Sequence, residues 1–353
     1  MATLRAIIDA LRTASHENQP AVLATVVRIT GSSYGGVGTR MLIRIDGSTI
    51  GIVSGGCLES DLAEHAREVS ESGEARLVTY DTRADDDAVW GLGLGCNGLI
   101  DVMLEPLDPA HSRELASLLD KAITSPSASV MATVIAGASA AKIGAHALIA
   151  PDGMQTTGTW NSQSALDAVR AAAPEAVSER RRGIVREFES ITVSYEVIVP
   201  AINLVICGSG PDVLPVARFA VDLGWSVTVV DHRPVTGEHA ARFPGALVIE
   251  SLNPGDFTRV ARIDGQTAVV VMSHNYARDL EYLRAALATG AKYIGVLGPR
   301  ARSERMFADM GAAGDALQHT ERVHSPIGLN IGGDGPDGIA LAIVAEISAV
   351  MTD

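Results

Sequence analysis

The chain has 353 residues, 47% of them hydrophobic, and a formal charge of −14. The length favours two domains over one, and the charge argues against a nucleic-acid backbone or an anionic membrane surface as partner, since both need a positive face. Three widely spaced cysteines make neither a disulfide framework nor a zinc motif, and they fit a reducing compartment.

The N-terminus mixes apolar and charged residues, from Leu4 and Arg5 to Leu11 and Arg12, as an amphipathic helix does and a signal peptide does not. No stretch is expected to reach the length of a membrane span. A strand is expected over 21–29, then a glycine-bearing loop over 31–38. Segments 41–45 and 49–53 read as a hairpin around Asp46-Gly47. Residues 57–69 carry Leu58, Leu62, Ala66 and Val69 at helical spacing. Strands over 76–80 and 99–104, a helix over 113–123, and strands over 130–135 and 145–149 follow. The segment 151–199 is less readable, with a helix over 165–173 and strand character over 192–199. Its one dense basic run, Arg180, Arg181 and Arg182, reads as a solvated face. No internal repeat is visible.

A new unit starts near residue 201. Strands are expected over 202–207, 226–230, 246–249, 267–271 and 292–296, alternating with helices, and an apolar helix over 338–351 closes the chain. That alternation implies a parallel sheet with helices on both faces. The fold class is therefore α/β: an N-terminal α+β domain, 1–200, followed by a Rossmann-like domain, 201–353.

Two loops of the first domain place a thiol among glycines: Ser54-Gly55-Gly56-Cys57-Leu58-Glu59 and Gly91-Leu92-Gly93-Leu94-Gly95-Cys96-Asn97-Gly98. Glycines beside a thiol let a ligand approach and leave backbone N–H groups for anions. Cys57 stands at the expected start of a helix, whose dipole favours thiolate. A thiolate can ligate a thiophilic metal or carry sulfur. Glu59 either caps helix N–H groups or contacts a ligand.

In the second domain the first strand runs into Gly208-Ser209-Gly210-Pro211-Asp212-Val213, and Asp231 ends the next strand. This places backbone donors where a pyrophosphate would lie and an acid where ribose hydroxyls would lie. Val213 in place of a third glycine, and Pro211 without an N–H, depart from that fingerprint. Cys207 reads as core. His232 and Arg233 either touch a phosphate or adenine or lie on the surface. His274 follows the fourth strand, at the sheet edge where ligands of open α/β sheets bind.

These loops resemble the N-terminal signature of the xanthine dehydrogenase accessory factors, the XdhC/CoxI family. The resemblance rests on Gly31-Ser32-Ser33 through Met41 and on both cysteine loops. In the second half it rests on Gly208-Ser209-Gly210, Asp231-His232-Arg233, Ser273-His274, 293–300 and 324–332. It implies a cytoplasmic, dimeric chaperone of the molybdenum cofactor. Such a protein holds the sulfurated molybdopterin and delivers it to a molybdenum hydroxylase client such as xanthine or carbon monoxide dehydrogenase. A cysteine desulfurase is a further implied partner. The cofactor-binding residues it implies are Gly55, Gly56, Cys57, Glu59, Gly95, Cys96 and Asn97, with Gly208, Gly210, Asp231, His274 and His324. Cys57 and Cys96 are the implied molybdenum ligands, and NAD(P) or another nucleotide is a second implied ligand. No catalytic residue is assigned. The chain has too few cysteines for the iron–sulfur clusters of a xanthine dehydrogenase. An NAD(P)-dependent oxidoreductase, with His274 as acid, and a nucleotide-sensing regulator remain rival readings. Cys57 and Cys96 are expected in one cleft, and His324, heading a glycine-rich loop, is expected to face it.

Overall fold

The computed structural model describes residues 3–81, 98–137, 139–178, 183–188, 190–311 and 320–352. The chain divides into two compact units, Met1–Pro200 and Ala201–Asp353.

The first unit is a duplication. Helix α1 (Leu4–His16) leads into β1 (Ala21–Gly31), β2 (Arg40–Arg44) and β3 (Thr49–Gly51), then α2 (Glu59–Ser72), β4 (Arg76–Asp81) and β5 (Gly98–Leu107). Helix α3 (Pro109–Thr124) leads into β6 (Ser129–Gly137), β7 (His146–Ala150) and β8 (Gly153–Thr157), then α4 (Gln163–Ser178), β9 (Ile184–Phe188) and β10 (Ile191–Ile198). The sheets run β3-β2-β1-β5-β4 and β8-β7-β6-β10-β9, one order used twice. The expectation of no internal repeat is thereby corrected, and the 151–199 segment proves to be the end of the second copy.

Strand register makes the copies correspond residue by residue. Thr25 pairs with Arg40 as Thr133 pairs with His146, and Leu23 pairs with Glu105 as Met131 pairs with Glu196. The Gly38 and Gly144 amides donate to Val26 and Val134 at 2.8 and 2.9 Å. Each long pair also carries a bulge, at Val27 and at Ile135. A bulge bends and twists its strand, and here both bulged side chains enter one small apolar cluster with Met103. Helices α1 and α3 pack on each other.

Polar side-chain pairs then cross between the copies reciprocally. Arg40 of the first copy binds Glu196 of the second through two hydrogen bonds, at 2.9 and 2.5 Å. His146 of the second lies 3.0 Å from Glu105 of the first, with Thr133 on its other ring nitrogen at 3.1 Å. All four residues of the crossing pairs are largely shielded, with side-chain exposures of 5% and 15% in one pair and 7% and 6% in the other. The Arg40 and Glu196 charges so placed must be paired, because an unpaired buried charge is far costlier than the pair.

Among its described residues the second unit holds six parallel strands: β11 (Asn203–Cys207), β12 (Ser226–Asp231), β13 (Leu247–Glu250), β14 (Thr267–Val271), β15 (Tyr293–Val296) and β16 (Val323–His324). Their order is β13-β12-β11-β14-β15-β16, that of a Rossmann sheet. The described α-helices are α5 (Val213–Asp222), α6 (Gly237–Ala241), α7 (Phe257–Val260), α8 (Tyr276–Leu287), α9 (Arg300–Asp309) and α10 (Gly335–Thr352). Val213, where the fingerprint has a glycine, is fully buried in the core under the sheet, and Cys207 is buried in the core on the other face. Burial pushes the Cys207 thiol pKa well up.

Contrary to the expectation that nothing reaches span length, α10 is long and apolar enough by length and composition to cross a membrane. Ala340, Ile343, Val344, Ile347 and Met351 of that helix are buried in the core of the unit, where α10 packs on α5.

Candidate functional site

The thiol loop sits where several chain crossings of the first sheet meet. Gly31 pairs with Gly98, Met41 with Gly51 and Asp81 with Leu99. The ends of β1, β3 and β4 and the starts of β2 and β5 therefore share one edge. Segments 32–39 and 52–58 both span that edge, and Cys96 precedes the β5 start by two residues. Gly95, Cys96 and Asn97 themselves lie outside the described residues, as do Arg180, Arg181 and Arg182.

The loop before α2 is a knot tied by two side chains. Glu59 Oε1 accepts from the Val53 and Ser54 amides at 2.9 and 2.8 Å. Its Oε2 accepts from Ser54 Oγ, Gly56 N and Leu58 N at 2.8, 2.9 and 3.1 Å. Ser54 Oγ in turn accepts from the amides of Cys57 and Leu58 at 3.1 and 2.8 Å. The expectation that several loop amides stay open to an anion is corrected for these five, because Glu59 and Ser54 consume them. Of the two roles open to Glu59, the observed one is to hold the loop. Partial burial pushes the Glu59 carboxyl up, but the Ser54 and Val53 donors outweigh it, and its pKa lies below the usual carboxylate range.

Gly55 and Gly56 have φ of 81° and 110°, the left-handed region that admits glycine cheaply. The Tyr34 ring covers Gly55, where a methyl group would lie 3.3 Å from it. What this scaffold presents is Cys57, an exposed free thiol two residues before α2. A cavity of about 270 Å³ shares the 32–39 loop and is lined by Leu4, Ile7, Gly38, Arg40 and Glu196. A larger one, about 370 Å³, lies at the opposite end of the first sheet, lined by Glu105, His111, Lys142 and Gly144. The two cavities hold equivalent positions in the two copies. The smaller is the one beside the thiol edge. Among the described residues, no three His, Cys, Asp or Glu side chains converge as a resident metal ion would require.

In the second unit the carboxyl edge collects the other candidates. Gly208 follows β11 with φ of 128°, and a methyl group there would strike the Met272 carbonyl at 2.7 Å. Asp231, 3% exposed, ends β12. Arg233 donates to it from N, Nε and Nη2 at 2.9, 3.3 and 2.9 Å. Ser209 Oγ also donates to it, and His232 Nδ1 lies 2.8 Å away. Burial raises the Asp231 pKa, and these donors override it, leaving the carboxyl far below the usual range. His274 carries a φ of 59°, unusual for a residue other than glycine, and its Nε2 lies 2.7 Å from Asp212 Oδ2. This pair joins the ends of β11 and β14, the point at which the strand order reverses, where open α/β sheets take their ligands.

His324 lies within the second unit, its ring stacked on Tyr293 at 4.3 Å and its Nδ1 3.6 Å from Glu346. Sequence reasoning singled out neither Ser54 and Arg40 nor the Asp212 and His239 partners.

A duplicated β unit bearing a thiol loop, joined to a Rossmann unit, defines a distinct class of two-part protein. The family model described as the XdhC and CoxI family matches residues 14–81, and that of the XdhC Rossmann domain matches 204–347. A Bacillus subtilis (strain 168) protein, named as a probable xanthine dehydrogenase subunit, is 30% identical, over 98% of this chain and 97% of its own. The Escherichia coli (strain K12) molybdenum cofactor insertion chaperone PaoD is 24% identical, over 98% of this chain and 87% of its own. A crystal structure of a Bacillus halodurans protein described as a xanthine dehydrogenase superposes with a TM-score of 0.76 at 31% identity, covering 98% of this chain and 96% of that one. The chain belongs to the XdhC and CoxI family.

Proposed function

We propose that the protein is a molybdenum-cofactor accessory factor serving enzymes of the xanthine dehydrogenase type. It binds the molybdopterin cofactor and hands it to a client enzyme. The observation that carries this reading is an exposed thiol, Cys57, held at the edge of the first sheet by the Ser54–Glu59 knot, in a chain similar end to end to an insertion chaperone. A soft thiolate suits molybdenum or its sulfido ligand. Cys57 and Cys96 are the proposed ligands, with Gly55, Gly56, Gly95 and Asn97 letting the pterin approach. Glu59 acts through the loop. Gly208, Gly210, Asp231 and His274 mark the sheet edge proposed for a second ligand, NAD(P) or another phosphate-bearing molecule. A homodimer, a sulfur-donating desulfurase and a cytoplasmic setting complete the proposal.

The test is retention of cofactor. Purified protein is mixed with molybdenum cofactor, passed through a desalting column and assayed for oxidised pterin by fluorescence. Co-elution of pterin supports the reading, and passage of the protein free of pterin contradicts it. The Asp212–His274 pair gives the oxidoreductase reading its one structural footing, and reduction of added NAD(P) with a substrate would favour it instead.

A further inference from the structure

The carboxyl edge of the second sheet carries a donor cluster whose chemistry departs from that of a dinucleotide site. There, the acid ending the second strand accepts from the ribose hydroxyls, and the glycine loop with its helix takes the pyrophosphate. Neither place is open here. A carboxylate has about four acceptor positions. Both oxygens of Asp231 are engaged, Oδ1 by two Arg233 donors and His232, Oδ2 by Ser209 and Arg233. No acceptor is left for a diol. At the glycine loop, Pro211 offers no N–H, and the Asp212 carboxylate folds back so closely that a methyl group on Gly210 would lie 2.7 Å from its Oδ1. A second negative charge would meet that carboxylate.

What the edge does offer is donors. Arg233 has a side-chain exposure of 52%, and its Nη1 makes no hydrogen bond among the described residues. Its Nη2 donates to Ser209 Oγ at 2.6 Å, and His239 Nε2 reaches the same hydroxyl at 3.2 Å. Ser209 itself is 2% exposed, so this hydroxyl fixes both side chains from below. Asp231 and Ser209 hold the guanidinium in place through Nε and Nη2, which leaves the exposed Nη1 hydrogens to donate to a phosphate oxygen.

We propose that the second unit binds its ligand through a phosphomonoester at Arg233 and His239, supported by Ser209, and not a dinucleotide through a ribose diol and a pyrophosphate. The proposal rests on the reading of this half as a ligand-binding Rossmann unit. Two sources carry the chemistry: a nucleoside 2′-phosphate and the phosphate arm of molybdopterin.

Calorimetry on the full chain at low salt tests it with three probes: adenosine 2′-monophosphate, adenosine and NAD. The 2′-phosphate should bind at least about tenfold tighter than either of the others, as charge-assisted hydrogen bonds to a dianion imply. Arg233→Ala should erase that preference. That variant strips Asp231 of its partner and can unsettle the fold, so His239→Ala, which leaves the Asp231 pair intact, should also reduce the preference. Displacement of the 2′-phosphate by molybdenum cofactor assigns the site to the pterin's phosphate, and co-binding assigns it to a nucleotide. NAD or adenosine binding as tightly as the 2′-phosphate overturns the proposal and leaves a nucleotide site standing. Binding of none of the three overturns both, while pterin retention at Cys57 remains a separate measurement.

Discussion

At the scale of single residues, Glu59 and Cys57 divide the work of the thiol loop. Glu59 serves five donors from Val53 to Leu58, so Glu59→Ala removes their shared acceptor and should cost about 1–3 kcal/mol in a denaturant titration. Cys57→Ser changes an exposed side chain and should move stability by no more than about 0.5 kcal/mol. A large loss for Cys57→Ser and none for Glu59→Ala would reverse the assignment. The acid response follows from the same geometry. The folded Glu59 carboxyl titrates below its ordinary value. Its contribution is present above the unfolded carboxylate pKa, about 4.3, and disappears as pH falls through the lower folded value. Glu59→Gln should therefore flatten the fall in melting temperature below about pH 4.3. An unchanged acid limb would show that the carboxylate carries no stability. The thiol, the glycines and the acid were all legible in sequence, because a motif within six residues keeps its spacing through folding. What the acid bonds to was not, since Glu59 turns back to the loop amides that an anion would otherwise have used.

At the scale of elements, the crossing Arg40–Glu196 and His146–Glu105 pairs hold the two copies of the first unit together. Glu196→Ala leaves the Arg40 guanidinium buried without its partner and should destabilise the protein by about 3–5 kcal/mol. Gly38→Ala attacks the same contact from the other side, since its φ of 90° is left-handed and the added methyl would press on the Glu196 carboxylate. The variant should unfold at a lower denaturant midpoint than the parent, and a midpoint equal to the parent's would remove Gly38 from the pair. The repeat behind these contacts escaped sequence reading for a physical reason. Burial asks only for apolar character on one face, so equivalent positions such as Leu23 and Met131 need not match. The offset between copies also drifts, because 82–97 joins β4 and β5 while only 189–190 joins β9 and β10. Arg40 and His146 occupy one structural position with different side chains, and no periodicity search connects them. The parallel strands of the second unit were far more legible, since strands buried on both faces read as unbroken apolar runs such as 268–271.

At the scale of the whole molecule, the two units divide the labour: a duplicated antiparallel unit bears the thiol edge, and a Rossmann unit bears the donor cluster at Arg233. Each has its own apolar core. A chain of residues 201–353 should therefore fold alone and melt cooperatively, whereas 1–107 should not, because Arg40 would lose Glu196 and Glu105 would lose His146. A molten 201–353 fragment by near-ultraviolet circular dichroism would refute the first part. The central claim is that the Cys57 edge holds molybdenum cofactor, and it is tested most directly by pterin retention in parent and Cys57→Ser proteins of matched stability. The account predicts that the parent elutes with pterin and that the variant loses most of it while melting normally. Equal pterin on both, or none on the parent, would contradict it.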